Sequence, residues 1–339
     1  MATVLSLALL SCAPGSTAAN AQSDSEQFQV WLGEMRAEAI AEGIRPAIVA
    51  EALNGVVLQR RVVKQDRSQA EFKLTYQIYA DRLLTPTNIR VGRSLMESEA
   101  ATLARVAETY QVQPRFIVAI WGMETRYGAV KPTKSVFPSL ATLAFDRRRS
   151  SFFRKELLQA LWMAEKGHID VGSMTGSWAG AMGQPQFMPS SYMAYARDFD
   201  GDGRRDIWNS RADVFASIAN YLKSHGWHND QTWGRRVLLP ADQAAFRAAV
   251  PANDRERGCS ALKSMSGSMG LNDWQALGVR RADGGDLPGR NLEASLVVPD
   301  GPDGPAFLVY RNYHSILRYN CAHLYGLAVS TLADALDDR

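Results

Sequence analysis

The run Phe116-Ile117-Val118-Ala119-Ile120-Trp121 contains no polar side chain. A segment with no wettable face reads as a buried helix, around which the rest of the chain must close. Pro114 suits the first position of that helix, where a missing N–H costs nothing. Gly128 is expected to end it as a C-cap glycine. Just before the end stands Glu124, in Gly122-Met123-Glu124-Thr125-Arg126-Tyr127-Gly128. Buried carboxylates are rare unless they are paired or functional. Its only cation nearby in sequence, Arg126, is expected on a different helical face. The negative end of the helix dipole and loss of hydration both favour the protonated form. A carboxylic acid protonated near neutral pH is what an enzyme needs to protonate a leaving group. A purely structural carboxylate is the blander alternative.

The chain has 339 residues, 46% of them hydrophobic, enough for a large core and two or three subdomains. A formal net charge of +3 is too small to argue for nucleic acid. Residues 1–21 hold the apolar stretch Val4 to Leu10 and end in Ala19-Asn20-Ala21, resembling a secretory signal with its cleavage site. Leu9-Leu10-Ser11-Cys12 also resembles a bacterial lipobox, which would place a lipid on Cys12. Both readings predict export to the periplasm, one as a soluble protein and the other anchored to the outer membrane. After such cleavage only Cys259 and Cys321 would remain. In an oxidising compartment they can pair, but their spacing is equally compatible with two separate thiols.

Helical periodicity runs from Ser25 to about Val57 and again over Asn88 to Val112. Pro114 to Trp227 is helical with glycine-rich interruptions. Beyond Trp227, Gly, Pro and Asp punctuate short β-like runs at Val237-Leu238-Leu239, Ala294 to Val298 and Phe307 to Tyr310, and an apolar helix closes the chain from about Cys321 to Leu336. The expected fold is mainly α with a small β-containing insertion, an α+β arrangement.

Asp198-Phe199-Asp200-Gly201-Asp202-Gly203 matches the first half of an EF-hand loop, with hard oxygen ligands at alternate positions and a turn glycine. Arg204 would add its backbone carbonyl. The twelfth position is Asn209 rather than the usual Glu, so Asp206 and Asp213 are the acidic candidates to complete the shell. A structural calcium is expected here; an acidic turn holding only water is the alternative. The glycine-rich run from Gly176 to Pro189 lets backbone approach a ligand closely. Within it Ser177 and Gln186 can hydrogen-bond an amide or hydroxyl, and Phe187 can stack on a sugar face. Tyr127, Tyr192, Tyr195, Trp208, Tyr221 and Trp227, with a lone acid, suggest a carbohydrate groove. Arg147, Arg148 and Arg149 can face an anionic substrate or simply form a solvated basic helix start.

Taken together these segments resemble the family B lytic murein transglycosylases, which cleave the glycan strands of bacterial peptidoglycan. The resemblance runs from about residue 28 to 335. It includes Asp66-Arg67-Ser68-Gln69-Ala70-Glu71-Phe72, the Glu124 segment, Ala141-Thr142-Leu143 and Gly176 to Gly183. It continues through Gln186 to Tyr192, the Asp198 loop, Ile218-Ala219-Asn220-Tyr221, Trp233-Gly234-Arg235 and Arg318-Tyr319-Asn320. Ala70 stands where the family commonly has Pro, and Ala322 where it usually has Ser. The resemblance implies a lysozyme-like helical core at 113–228, carrying an EF-hand-like loop at 198–213. A helical N-terminal domain at 25–112, a small β-domain at 229–318 and a terminal helix at 319–339 complete it. It implies one catalytic residue, Glu124, and saccharide contacts from Ser177, Gln186, Tyr221, Tyr319 and Asn320. The reaction implied uses Glu124 as acid and then base, the substrate's own acetamido group as stabiliser, and no water. No organic cofactor is implied. A hydrolytic muramidase and an inactive calcium-stabilised peptidoglycan-binding protein are the alternatives. The expected partners are peptidoglycan strands, with other cell-wall enzymes as candidates, and the expected state is a monomer.

Overall fold

The computed structural model describes residues 16–68 and 74–337. Most of the expected leader, Cys12 included, and Gln69 to Phe72 of the Asp66 motif lie outside the described residues. Within them are sixteen α-helices and seven short strands, so the mainly-α expectation holds. No described helix is long and apolar enough to cross a membrane. The described residues form two compact units, each discontinuous in sequence: those up to 67 with 134–180, and those from 68 to 133 with 181 onward.

The first unit is built from the helices Ser16–Ala41, Pro46–Leu53, Arg60–Arg67, Val136–Phe145 and Ser150–Glu165. Phe28, Leu32 and Met35, at helical spacing, are fully buried. Phe28 meets Phe145 edge-on at 5.4 Å. A two-stranded ribbon pairs Lys134–Ser135 with Thr175–Gly176.

The second unit is organised around the helix Pro114–Thr125, on which His323–Asp337, Arg211–Ser224, Pro86–Ser98 and Ala100–Tyr110 all pack. Every residue from Phe116 to Trp121 has no solvent exposure. Each large side chain among them contributes about 1.5–3 kcal/mol of transfer free energy, an upper bound because unfolded chains are partly compact. Pro114 occupies the first turn as expected. The stop differs from expectation: the helix ends at Thr125, and Arg126, Tyr127 and Gly128 all take positive φ. Packing overrides propensity here. Tyr127 is folded back edge-on to Trp121, ring centroids 5.7 Å apart, and its hydroxyl donates to the Asn88 carbonyl at 3.0 Å. A Cβ on Gly92 or Gly122 would collide with that tyrosine ring, so two glycines make its room. The single helix expected over Asn88 to Val112 is broken at Glu99, whose carboxylate accepts from Arg211 at 2.5 Å.

The same unit carries a five-stranded antiparallel sheet in the order Ser268–Gly270, Glu293–Val297, Ala306–Val309, Gly234–Leu238, Arg280–Arg281. The three expected strands overlap its three central ones, each expected run extending one residue past the observed strand end. Trp274, Leu271, Phe246, Val237 and Leu308 fill its core. Cys259 and Cys321 are joined in a disulfide, which decides the question their spacing left open.

Candidate active site

Glu124 sits one residue before the end of the Pro114–Thr125 helix and is half-buried. Its Oε1 accepts the hydroxyl of Tyr325 at 2.6 Å. Tyr325 comes from the helix His323–Asp337, and burial, reinforced by the negative charge of Glu124, pushes its phenol well above the ordinary value. It is therefore a permanent donor at neutral pH and fixes the orientation of the carboxyl group.

The end of the acid helix is locked to the hairpin that begins at Met182. Trp121 Nε1 donates to Gln184 Oε1 at 2.7 Å, and Thr125 Oγ1 donates to the Gln184 carbonyl at 3.0 Å. Gln184 Nε2 then donates to the Trp208 carbonyl at 2.8 Å. One buried glutamine thus ties helix, hairpin and acidic loop together, with its amide donors and acceptor both used. Met182 and Phe187 close the hairpin by exchanging backbone hydrogen bonds. Gln186 adopts φ 52° within it, and its side chain donates to the Gly183 carbonyl at 2.9 Å.

Phe187, Tyr221 and Tyr319 form a contiguous aromatic cluster, with centroids 4.8–5.8 Å apart. Tyr319 lies nearly parallel to Tyr325 at 6.5 Å. The Tyr319 hydroxyl donates to the Pro185 carbonyl at 2.7 Å and that of Tyr221 to the Arg318 carbonyl at 2.6 Å. The cluster therefore reaches Glu124 through Tyr325. Asn320 follows immediately, half-exposed, at the C-cap of helix Arg311–Tyr319. Three of the other aromatic residues are held in the packing. Trp227 donates to Gln113 and packs edge-on to Phe116, Tyr192 is fully buried, and Tyr127 is the wedge described above.

In the acidic loop, Asp198, Asp200 and Asp202 each place an oxygen within 4.8 Å of the others. Asp198 accepts from the amides of Gly201 and Gly203, and Asp202 from that of Arg204. Asp206 accepts from the amides of Trp208 and Asn209. Asp213 stands apart from the three. It is fully buried, with one oxygen on the amide of Phe199 and the other on that of Asp206, so it braces the loop from inside. Burial raises its pKa, and the two amide bonds oppose that rise.

Ser177, Arg148 and Arg149 lie on the first unit. Ser177 follows the strand Thr175–Gly176 and is half-exposed. Both arginines are ion-paired with Asp66, a carboxylate only 3% exposed, and Arg148 also donates to the Asp66 carbonyl at 3.0 Å. Their side chains remain 46% and 39% exposed. The basic cluster is thus neither a free anion site nor a merely solvated helix start: it has a buried counter-ion.

Sequence reasoning missed Tyr325 and Gln184. Tyr325 is the only phenol on the last helix, and Gln184 is one of two amides, with Gln186, inside a glycine-rich run. Either oddity is a legible signal.

Residues 27–334 match the sequence model of the transglycosylase SLT domain. The chain is 35% identical over 262 residues to membrane-bound lytic murein transglycosylase B of Escherichia coli K12, covering 76% of this chain and 66% of that protein. It is similar to SltB3 of Pseudomonas aeruginosa, solved in complex with NAG-anhNAM-pentapeptide. There the TM-score is 0.82 and the identity 41%, over 91% of this chain and 79% of the other. The lytic transglycosylase Slt35 of Escherichia coli in complex with calcium superposes with a TM-score of 0.73 at 29% identity, covering 92% and 93% of the two chains.

Proposed function

The chain belongs to the transglycosylase SLT family, and from that premise we propose that it is a lytic murein transglycosylase. In this reading it cleaves the β-1,4 bond between MurNAc and GlcNAc and leaves 1,6-anhydroMurNAc ends. The observation that carries the reading is the carboxyl group of Glu124, held by Tyr325 at the end of a wholly buried helix and continued by the Phe187, Tyr221 and Tyr319 cluster.

Protonated Glu124 gives its proton to the glycosidic oxygen, and the bond to C1 of MurNAc breaks. The 2-acetamido group of the same sugar stabilises the positive charge at C1, so no second protein carboxylate is needed, one of the exceptions to the two-carboxylate pattern. Glu124, now ionised, takes the proton of the MurNAc C6 hydroxyl. The oxygen attacks C1, closing the anhydro ring and restoring the acid. General acid–base help of this kind supplies roughly 10²–10⁴-fold, leaving the remainder to binding and sugar distortion. Tyr319 and Asn320, with Gln186, Phe187 and Tyr221, are the proposed saccharide contacts of the second unit. Ser177, Arg148 and Arg149 are proposed contacts on the first.

Calcium fits the acidic loop. Asp198, Asp200 and Asp202, with the Arg204 carbonyl and Asp206, would hold it, and its role there is structural. Asp213, whose oxygens already serve two amides, is assigned to bracing. The relative's printed name, membrane-bound, and the leader-like residues 1–21 support a periplasmic location.

Glu124→Gln keeps the size of the side chain but cannot donate and recover a proton. We expect it to stop the release of soluble fragments from purified sacculi while glycan binding persists. Near-wild-type turnover by that variant would overturn the assignment.

A further inference from the structure

The turn between helices Arg311–Tyr319 and His323–Asp337 consists of Asn320, Cys321 and Ala322. It separates two elements of the proposed site: Tyr319 ends the first helix, and Tyr325 lies in the first turn of the second. Tyr319 is locked by its own hydrogen bond to Pro185 and by three aromatic neighbours. Tyr325 is buried and bonded to Glu124. Asn320 has neither support. Among the described residues its side-chain amide makes no hydrogen bond, and its backbone bonds only to Ile316 and Ala322.

What fixes the turn is a four-residue helix, Ser260–Lys263. Cys259, its N-cap residue, is bonded to Cys321, the residue after Asn320, across a Cα–Cα distance of 5.7 Å and a sequence separation of 62. Ser260 Oγ lies 3.6 Å from Cys321 Sγ. On the far side of the turn, His323 Nε2 is 3.2 Å from Ser264 Oγ, while its Nδ1 is 3.0 Å from the hydroxyl of the buried Tyr313. The short helix thus grips the turn on both flanks, covalently before Ala322 and by hydrogen bonds after it. Asp254 to Gly258, the chain leading into that helix, is exposed and has no regular structure, so it does not hold the turn. Cys321 is exposed and Cys259 half-exposed, so the bond is open to thiols in solution.

We propose that the Cys259–Cys321 disulfide is a redox-sensitive positioning device that sets the glycan affinity of the site by holding Asn320 in place. This rests on the saccharide-binding reading given above for Asn320. A dithiol opens the bond in two steps. One thiolate attacks Sγ of Cys321, forming a mixed disulfide and releasing the Cys259 thiolate. The second thiol of the reductant then displaces Cys321, and the reductant leaves as a cyclic disulfide. Two electrons and two hydrogens pass from the dithiol to the two cysteines. The opened turn keeps the His323 contacts but loses the covalent hold beside Asn320. Asn320 then samples more conformations and must be ordered by the ligand, a cost that appears in affinity.

The test uses the full chain in five forms: oxidised, reduced with dithiothreitol, Cys259→Ser with Cys321→Ser, and Asn320→Ala in each redox state. Binding of N-acetylglucosamine trimer is measured in the Glu124→Gln background, and KM and kcat on sacculi in the active background. All readings are taken well below the thermal midpoint, with circular dichroism confirming the fold. Reduction, or the double substitution, is expected to weaken trimer binding and raise KM roughly fivefold to tenfold, with kcat within about twofold of the oxidised protein because the Glu124–Tyr325 pair is untouched. Dithiothreitol should not alter the double variant. In Asn320→Ala, reduction should cost little further affinity, since both changes remove the same contact. Unchanged binding and KM on reduction, with only a lower thermal midpoint, would make the bond a plain staple and overturn the proposal. So would a full additional loss in Asn320→Ala. If trimer binding weakens on reduction but the oxidised protein releases no fragments from sacculi, the lytic assignment fails and the positioning role stands.

Discussion

At the scale of single residues, the proposed site is a carboxyl group and the phenol that holds it. Glu124 was legible in the sequence because it interrupts the end of an unbroken apolar run, where a carboxylate has no packing reason to be. Tyr325 was not, since 201 positions separate the pair and only the packing of the last helix on the acid helix unites them. Gln184 was likewise hidden, although its run had been singled out, because its partners Trp121 and Trp208 come from other elements. Arg148 and Arg149 show the opposite limit: their charge was evident, but not the buried Asp66 that pairs with both. Tyr325→Phe removes one hydrogen bond to a carboxylate and little volume. It should lower kcat on sacculi roughly tenfold to hundredfold, the effect of losing a charge-assisted bond of about 1.5–3 kcal/mol, while KM changes little. A pure rise in KM would instead place Tyr325 among the binding residues.

At the scale of elements, two predictions separate the acidic loop from the turn. Three carboxylate oxygens within 4.8 Å repel one another unless a cation lies among them. Calcium at a hundred times its Kd should therefore stabilise the protein by about 2.7 kcal/mol. A chelator should reverse the rise in thermal midpoint, and Asp200→Asn should abolish most of it. A midpoint indifferent to calcium would leave the loop as a hydrogen-bonded turn. The turn after Tyr319 is expected to respond to pH. Burial lowers the pKa of His323 to about 4, with a backbone bond to Ala261 opposing the shift. The unfolded histidine takes its proton near pH 6.5, and the folded one not until about pH 4. Between those values the unfolded state binds more protons, so stability falls as pH falls, by up to about 3 kcal/mol from this residue. His323→Gln should flatten that part of the stability–pH curve; an unchanged slope would assign the loss to other groups, beginning with His314, which burial also lowers to about 4. The acidic loop could be read from its spacing, and the three central strands from short apolar runs between Gly, Pro and Asp. The end of the acid helix could not, because Tyr127 and its two glycines decide it by packing rather than by local propensity.

At the scale of the whole molecule, the family was legible from the order of its motifs, and the mainly-α fold from helical periodicity giving way to short strands. The two compact units were not. Each joins stretches distant in the chain, so no composition change along the sequence marks their edges. The disulfide belongs to this scale too, closing a loop of 62 residues within the second unit, worth about 4 kcal/mol if its effect is loop entropy alone. In the proposed reaction one carboxyl group, acting first as acid and then as base, breaks glycan strands without consuming water. Mass analysis of the fragments released from purified sacculi distinguishes this from hydrolysis. Fragments ending in 1,6-anhydroMurNAc, lighter by one water than hydrolysis products and absent from the Glu124→Gln digest, are expected of this reaction. Fragments carrying the added water, with reducing MurNAc ends, would contradict it and make the protein a muramidase.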